Sequence, residues 1–454
     1  MNQHMQQISH FIQNTSYQDI PKQARKNAHK AFTDTIAVSI AALKTEDVKI
    51  LQNIFSEFCD KNFAKNILSD IQDRRGDDAA FVWGALTHIL DFDDVNFTFQ
   101  GHPSATLIPI IMVLGKEHDL TGKQMLLAYA IGFEIQARIG EDIGSEQYNL
   151  GNHTTSTIGI FGAVAAASKI LHLDDLKIRY AFGMASSLAE GSRKNFGTKT
   201  KPLHVAFLSR NVYWITRLIK HGIDATTDIF NEPISLDVLT TGQRISQKSI
   251  KKLGGTWELE TFGTIMKKYP CCAYTHRSID ALLHILEKHP IKINKIEKIE
   301  AIVHYKVPAV LIYPEASTAL EGKFSMQYCL GATLIDKQVN LNTFTDKQVN
   351  RENVQKVMKK IEMHVDSKQQ EGTNPKEQAA TIKVFTEENV YTSTIHYPKG
   401  HPKNSFDDEE MFYKFKNCVQ DFYSNNQIQS FYNDLNRIEK VNYKDIAKHI
   451  NEIK

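Results

Sequence analysis

The chain has 454 residues, of which 42% are hydrophobic and 23% charged, and its formal net charge at pH 7 is +2. This composition is ordinary for a soluble globular protein of two or three domains, and the small net charge gives no electrostatic basis for binding nucleic acid. The polar, Gln-rich start lacks the apolar core of a secretory signal, and no apolar run reaches the roughly 20 residues that span a membrane. Five cysteines, an odd number in so long a chain, argue against a disulfide framework and predict a reduced, cytoplasmic protein.

The N-terminal half of the chain predicts helices. From residue 21 to about residue 222, apolar side chains such as Phe32, Ile36 and Ile40 recur at near-helical spacing. Small residues dominate residues 154–189, and small side chains let helices approach each other closely. We therefore expect a helix in this segment to be buried at the centre of a bundle.

The pattern changes after residue 267. Residues 295–305 alternate apolar and polar side chains, and so do residues 380–385 and 390–397, which four residues separate as in a hairpin. Amphipathic helical periodicity returns beyond Pro402. We predict a mainly α protein with an α+β part: a large all-helical domain, formed by residues 1–264 and 403–454, and a smaller inserted α+β lid domain at residues 265–402.

Five segments concentrate cations and proton carriers, most of them beside Gly or Pro. Loop residues fixed in this way on a rigid scaffold are typical places for functional groups. The segments are 90–104 with Asp91 and His102, 148–155 with Tyr148 and His153, 193–204 with Lys201 and His204, 267–277 with Lys267, Cys272 and His276, and 313–325 with Tyr313.

Each segment also has a structural interpretation, as a helix cap, a turn or a solvated basic loop. The run Asp91, Asp93 and Asp94 has the acidic density that suits Mg²⁺, but Asp residues at a helix end also cap backbone N–H groups and orient imidazoles. The only close cysteine pair is directly adjacent, which argues against a zinc or iron–sulfur site. We therefore expect no metal.

The chemistry of the five segments favours proton transfer. Lys and Arg pair with carboxylates, whereas His, Tyr, Cys and Lys carry protons. A phosphate-cradling glycine loop, a dinucleotide fingerprint and a nucleophile elbow are all absent from the sequence. The combination suits removal of a proton beside a carboxylate or carbonyl without a cofactor.

In order and spacing, five motifs resemble the MmgE/PrpD family, which includes 2-methylcitrate dehydratase, cis-aconitate decarboxylase and iminodisuccinate epimerase. The resemblance runs from about residue 20 to residue 400. The motifs are Leu90-Asp91-Phe92-Asp93-Asp94, Gly101-His102-Pro103-Ser104, His153-Thr154-Thr155-Ser156-Thr157, Thr200-Lys201-Pro202-Leu203-His204 and Tyr269-Pro270-Cys271-Cys272.

The resemblance implies an all-helical domain with a smaller α+β lid, a homodimer, and a site between the domains that uses no metal or organic cofactor. It implies that Lys201, His102 and His153 transfer protons and that Lys267 anchors a carboxylate. The resemblance also implies that Asp91 and Tyr313 belong to the site. We expect Asp91 to act in catalysis and the substrate to be bound by Tyr313, Cys272, His276 and His204.

Two positions depart from the decarboxylase members. The decarboxylase members carry His where this chain has Cys272 and Thr where this chain has Val95. Both departures weigh against decarboxylation of cis-aconitate. We hypothesise that His276 takes the place in space of the His that is replaced by Cys272. The Tyr148 segment and the Cys271–Cys272 pair look closer to the epimerase branch, in which Tyr148 and Lys201 would remove and return a proton on opposite faces of a carbon.

The first hypothesis is therefore a cofactor-independent lyase, similar to 2-methylcitrate dehydratase or cis-aconitate decarboxylase. It abstracts a proton beside a carboxylate of a small di- or tricarboxylic acid, and water or carbon dioxide leaves. The alternative is an epimerase of an amino-dicarboxylate such as iminodisuccinate. A third hypothesis, from a different class, is a protein that binds carboxylates without turning them over.

Overall fold

Helices make up most of the described chain. The computed structural model describes residues 3–57, 67–68, 75–230, 234–242, 248–370 and 378–453, and Cys59 lies outside them. Within these residues the chain packs as two compact units: residues 1–194, 200–264 and 407–454 belong to a helical unit, and residues 195–199 and 265–406 to an α+β unit. The predicted class, mainly α with a smaller α+β part, is confirmed.

The helical unit contains the long helices and the C-terminal ones. Their bounds are α1 Gln3–Asn14, α2 Lys22–Ala41, α3 Glu46–Glu57, α4 Gly76–His88, α5 Pro103–His118, α6 Gly122–Asn149, α7 Thr154–Thr157, α8 Gly159–Ile170, α9 Asp175–Ser186, α10 Thr200–Lys220, α11 Leu236–Thr241, α12 Glu258–Thr261, α18 Asp408–Val419, α19 Asn425–Leu435 and α20 Tyr443–Asn451.

Close packing of α4 against α10 determines where the polar residues at their ends lie. A Cβ atom at Gly84 in α4 would stand 2.7 Å from the backbone oxygen of Val205 and 2.8 Å from Cα of Ala206. Only glycine allows this approach, because a larger residue would collide with the backbone of α10. The approach brings the end of α4, at His88, beside the start of α10.

The small-residue helix is buried, as the sequence predicted. In α8 the side chains from Gly159 to Ser168 are all buried, and α6, α5 and α10 pack around it. The C-terminal helix α18 returns to the same unit and packs on α2. There the Lys414 ammonium lies 2.6 Å from the Asp34 carboxylate, and both side chains are almost fully buried.

The α+β unit is built on a four-stranded sheet of order β2–β1–β3–β4. Strand β1 pairs with β2 in parallel and with β3 antiparallel, and β3 and β4 form the predicted hairpin, with Ala380 opposite Ile395 and Phe385 opposite Val390. The bounds are α13 Ala273–Lys288, β1 Ile296–Val303, α14 Ala319–Gly322, α15 Met326–Asp336, α16 Asp346–Val349, α17 Glu352–Met358, β2 Ile361–Val365, β3 Ala380–Thr386 and β4 Val390–Ile395.

The unit boundaries differ from the predicted ones at two places. Residues 195–199, which the sequence assigned to the helical domain, pack with the α+β unit because the Phe196 ring lies 5.6 Å from that of Phe324 and its carbonyl accepts a 2.9 Å hydrogen bond from Tyr313. Residues 403–406 stay with the same unit because backbone hydrogen bonds between Asn404 and residues 400–401 close a turn.

Among the residues that the structure describes, no helix combines the length and the apolar character that a bilayer span requires.

Candidate active site

The loop between α4 and α5 holds the acidic run in a fixed conformation. Asp91 has a φ of 52°, in the left-handed region that non-glycine residues seldom occupy, and its N–H donates to the carbonyl of His88 at 3.1 Å. Two backbone hydrogen bonds between Asn96 and Gly101, of 2.8 and 3.1 Å, close the base of the loop. Backbone strain of this kind costs of order 1–3 kcal/mol and tends to occur at functional sites.

A buried carboxylate holds two imidazoles. Nδ1 of His88 lies 2.9 Å and Nδ1 of His102 2.8 Å from Oδ2 of Asp93, and the Asp93 side chain is fully buried. Burial alone would raise the pKa of Asp93, but the two imidazoles outweigh it and hold that pKa well below its usual range. Asp93 is therefore ionised and fixes the orientation of both rings.

A second carboxylate holds the lysine. The Nζ atom of Lys201, in the first turn of α10, forms an ion pair with Oδ1 of Asp91, and both side chains are almost completely buried. Nε2 of His102 lies 3.8 Å from the same oxygen. The ammonium of Lys201 and the imidazole of His102 therefore share one carboxylate.

Two further histidines contact each other. Nδ1 of His153 lies 3.0 Å from Nδ1 of His204, and the backbone N–H of His153 donates to the carbonyl of Gly191 at 3.0 Å. Burial, followed by the charge of Lys201, lowers the pKa of His153 well below its usual range. Burial, followed by the charge of His88, lowers the pKa of His204 to about 4. Both rings are therefore neutral near pH 7, and one donates its N–H to the other.

The helical unit thus brings together five of the predicted residues, Asp91, His102, His153, Lys201 and His204. The ring of His88 joins them, 4.5 Å from that of His102 and stacked 5.7 Å from that of His153. We call these six residues together with Asp93 the Asp–His–Lys cluster. His88 was not among the predicted site residues, and its position three residues before Asp91, at the end of a helix, was the signal that could have found it.

A third buried carboxylate, that of Asp94, lies next to the cluster in the sequence. Oδ2 of Asp94 accepts hydrogen bonds of 2.7 Å from the hydroxyls of Ser104 and Thr264, and the hydroxyl of Ser104 contacts that of Tyr129 at 2.8 Å. Burial raises the pKa of Asp94 to about 7. This network anchors the loop to the start of α5, and nothing in the sequence pointed to Tyr129 or Thr264.

Ligand atoms of His88, Asp91, Asp93 and His102 lie within 4.8 Å of one another, close enough to surround a cation. Both carboxylates already have partners, however: Asp93 accepts from two imidazoles and Asp91 pairs with the ammonium of Lys201. A metal ion bound through Oδ1 of Asp91 would have to displace Lys201. The contacts therefore suit an internal ion-pair network better than a metal centre.

Tyr148 lies near the end of α6, where the guanidinium of Arg193 sits 3.9 Å from the centre of its ring. Arg193 also donates a hydrogen bond to the backbone carbonyl of Tyr148. The Tyr148 side chain is buried. Its ring thus contacts Arg193, whereas the ammonium of Lys201 contacts Asp91.

The remaining predicted residues belong to the α+β unit. Lys267 is fully buried, Cys272 is the residue that precedes α13, and Nε2 of His276 contacts the carbonyl of Cys271 at 3.2 Å. The Tyr313 hydroxyl donates to the carbonyl of Phe196 at 2.9 Å.

A group of thiols lies near His276. Sγ of Cys271 contacts the hydroxyl of Thr275 at 3.1 Å. Burial raises the pKa of both Cys271 and Cys329. For Cys271 the hydrogen bond from Cys329 and the nearby His276 outweigh burial and lower the pKa to about 5. The pKa of Cys329 stays well above its usual value. We call Cys271, Cys272, Thr275, His276 and Cys329 the thiol cluster.

The described chain thus combines a helical unit that holds a buried Asp–His–Lys cluster with a small α+β unit. Residues 6–248 match the model of the MmgE/PrpD N-terminal domain, and residues 269–436 match that of the MmgE/PrpD C-terminal domain. The chain therefore belongs to the MmgE/PrpD family, as the resemblance predicted.

Curated relatives are cis-aconitate decarboxylases. The one from Mus musculus is 27% identical over 378 residues, which cover 80% of this chain and 76% of the relative. The one from Aspergillus terreus is 24% identical over 444 residues, which cover 90% of this chain and 88% of the relative. The one from Homo sapiens is 28% identical over 297 residues, which cover 63% of this chain and 60% of the relative.

Proposed function

We propose that the protein is a cofactor-independent lyase that acts on a small di- or tricarboxylic acid. A proton is transferred at a carbon next to a carboxylate, and water or carbon dioxide leaves. The observation that carries the proposal is the Asp–His–Lys cluster, which supplies an ammonium and neutral imidazoles in a buried setting. Membership of the family and its decarboxylase relatives support the same class.

The protonation states of the cluster suit this chemistry. Neutral His153 can accept a proton through a ring nitrogen, and the charged Lys201 can stabilise the negative charge that develops on a carboxylate or enolate, or deliver a proton. Ionised Asp93 fixes the ring of His102 for the same task. In the proposed role assignment Lys201, His102 and His153 transfer protons, and Asp91 holds Lys201 in place.

Each leaving group has its own proton balance: loss of water takes one proton from carbon and adds one to the departing hydroxyl, and loss of carbon dioxide adds one proton to carbon. In dehydration, a base takes the proton from carbon, and the hydroxyl on the neighbouring carbon leaves as water after it receives a proton. In decarboxylation, the C–C bond to the carboxylate breaks, its electron pair moves into the conjugated system, and a proton is then delivered to carbon. Both need an acid or base beside a cation, which is what the cluster offers.

Substrate binding by Lys267, Cys272, His276 and Tyr313 is part of the proposal and rests on the family resemblance. The relatives named as decarboxylases favour loss of carbon dioxide, whereas Cys272 and Val95 favour another outcome. An imidazole can take up a proton on one ring nitrogen and release one from the other, whereas the thiol of Cys272 has only its sulfur.

The test is incubation of the purified protein in D₂O with citrate, 2-methylcitrate, cis-aconitate, isocitrate and iminodisuccinate, followed by NMR and mass spectrometry. We expect one acid to lose water or carbon dioxide. No loss of either from any of these acids would contradict the lyase.

An epimerase acting on an amino-dicarboxylate is the second candidate, favoured by Cys272 and by the buried phenol of Tyr148 beside Arg193. It would exchange one substrate hydrogen for deuterium in the same incubation without losing any fragment. Absence of this exchange with iminodisuccinate would count against it.

Two further points are proposals from the family resemblance and the cysteine content: that the protein is a homodimer and that it works in the cytoplasm. Light scattering of the purified protein tests the first, with a mass of twice 51.6 kDa expected. Fractionation of cells tests the second.

A further inference from the structure

We infer that His204 is a proton relay, which passes protons between the buried His153 and water in a cavity at the surface of the helical unit. The inference rests on the proposed function for its purpose, since His153 must regain or lose a proton in each turnover. The contact between the two rings and the position of the cavity are observed independently of the proposed function. His204 would then act through His153 rather than by contact with the substrate.

The contact between the two rings is the first observation. The 3.0 Å separation of the two Nδ1 atoms is a hydrogen-bond distance, so one of these nitrogens carries a hydrogen and the other accepts it. The ring planes are tilted by 54° with centroids 5.2 Å apart, which is not a stacked arrangement. The nitrogens, rather than the ring faces, therefore meet.

The backbone around the pair leaves room for this contact. Gly191 has a φ of 145°, its carbonyl accepts the backbone N–H of His153, and a Cβ atom there would lie 3.4 Å from Cβ of His153 and 3.5 Å from Nδ1 of His204. A Cβ atom at position 191 would be in van der Waals contact with both histidines, in a backbone conformation that favours glycine. The loop thus closes on the pair without separating it.

A cavity provides the second connection. It has a volume of about 160 Å³, and its wall includes His204, Gly191, Glu190, Phe207 and Asn211. Glu190 is exposed and the Phe207 side chain is 47% exposed, so the cavity reaches the surface. This volume is sufficient for several water molecules, and the polar groups of His204 and Glu190 can bind them.

His153 itself has no comparable access, because only 1% of its surface is exposed. His204 is only partly buried, borders the cavity and contacts the buried ring. An imidazole can take up a proton on one nitrogen while it releases another from the second. Protonation of His204 from cavity water and transfer from its Nδ1 to Nδ1 of His153 therefore balance, and the opposite direction removes a proton from the site.

The charged and titratable groups that face the pair are Lys201 and His88 for both rings and His102 for His153. The Lys201 charge disfavours a lasting imidazolium on either ring. A proton would therefore pass through the pair without being stored there, as a relay requires.

The variants for the test are His204→Phe, which keeps a planar ring without ring nitrogens, and His204→Ala, which opens space beside His153. Asn211→Ala is the matched control, because it changes the wall of the same cavity. Each variant is first shown to be folded by its melting temperature. The kinetic substrate is the acid that wild-type protein turns over.

We expect His204→Phe to lower kcat by about 10²-fold, the lower end of what general acid–base groups contribute, with KM little changed. Added imidazole should restore kcat in His204→Ala but not in His204→Phe, where the ring fills the space. Asn211→Ala should keep the wild-type kcat. A kcat within twofold of wild type in both His204 variants would overturn the relay, and so would a rise in KM alone, which would make His204 a substrate-binding residue.

A second measurement does not depend on turnover. In protein with ¹⁵N-labelled histidine, NMR measures how fast the ring N–H of His153 exchanges with water. We expect His204→Phe to slow this exchange at least about tenfold and Asn211→Ala to leave it unchanged. Equal rates in wild type and His204→Phe would reject the relay even if no substrate were found, whereas a silent substrate panel together with slowed exchange would contradict only the proposed function.

Discussion

The Asp–His–Lys cluster and the thiol cluster contain similar kinds of residue but differ in what their polar atoms contact. In the former, carboxylates hold the lysine and two of the imidazoles: Asp93 binds His88 and His102, and Asp91 binds Lys201. In the latter, Nε2 of His276 contacts a backbone carbonyl and the thiol of Cys271 contacts a hydroxyl. Burial and the buried ion pairs therefore set the protonation states in the helical unit, whereas in the α+β unit the hydrogen bond from Cys329 and the nearby His276 lower the pKa of Cys271.

The role of a histidine or lysine in a motif therefore depends on the group that it contacts. A carboxylate orients an imidazole and favours its charged form, whereas burial without one favours the neutral form. Burial is the larger effect in this unit, because it lowers the pKa of His88, which Asp93 contacts, as well as that of His153. Substitutions that remove these partners one at a time test the difference between the two clusters.

The largest effect is expected for Lys201→Met. It should lower kcat/KM by about 10³-fold or more, since the ammonium is lost from the reacting centre. It should also destabilise the protein by about 3–5 kcal/mol, because the buried carboxylate of Asp91 loses its partner. Steady-state kinetics and denaturant unfolding measure the two effects.

The double variant Asp91→Asn/Lys201→Met separates these two losses. It removes both buried charges, so much of the stability should return while activity stays lost. Lys194→Met, at an exposed lysine, is the control and should keep both properties. Recovery of activity along with stability would show that Lys201 is only structural.

The next effect is expected for Asp93→Asn. Loss of the carboxylate should lower kcat by about 10- to 100-fold, because His88 and His102 lose the group that orients them. The pH–rate profile should move as well, since the charge that favours protonated imidazoles is gone. An exposed carboxylate, Asp119, is the control position, and Asp119→Asn should behave as wild type in both measurements.

A smaller effect distinguishes the thiol cluster. Cys271→Ala should destabilise the protein by roughly 1–2 kcal/mol, since a fully buried side chain is truncated, and should leave kcat within a few-fold of wild type. Cys272→Ala should instead act mainly on KM if Cys272 contacts the substrate. If Cys271→Ala abolished kcat in a folded protein, the contrast between the two clusters would fail.

A pH effect follows from the two neutral histidines. The folded-state pKa of His204, about 4, lies below the ordinary value of about 6.5. Between these values the unfolded chain binds more protons than the folded one, so stability should fall as the pH decreases from about 6.5 to about 4. In His204→Phe the free energy of unfolding should depend less steeply on pH over this window. Identical slopes would contradict a neutral His204 in the folded state.

The smallest effect concerns metals. A chelator should not change kcat, because Lys201 already occupies the carboxylate that a cation would need. Activity that vanished with the chelator and returned with Mg²⁺ would reassign His88, Asp91, Asp93 and His102 as ligands.

Much of the fold followed from the sequence, because helical periodicity, the hairpin at residues 380–395 and the small-residue helix are local patterns. Residues 195–199 were assigned to the wrong unit, because the contacts of Phe196 with Phe324 and Tyr313 join segments far apart in the chain. The strand Ile361–Val365 gave no comparable signal, since only its pairing with β1 defines it.

The site residues could be predicted as types but not as partners. Motif spacing brought Asp91, His102, His153 and Lys201 to attention, whereas the Asp91–Lys201 pair joins positions 110 residues apart. The close approach of α4 and α10 also brings His88, at the end of α4, near His204 in α10. The ring of His153 contacts both. Such contacts are tertiary, and no local pattern encodes them.

The most direct test of the account is the reaction of wild-type protein and of folded His153→Ala and Lys201→Met variants with the acid panel in D₂O. We expect wild type to convert one acid with loss of water or carbon dioxide and both variants to lose at least about 10²-fold of this rate. Full turnover by either variant would contradict proton transfer by the Asp–His–Lys cluster.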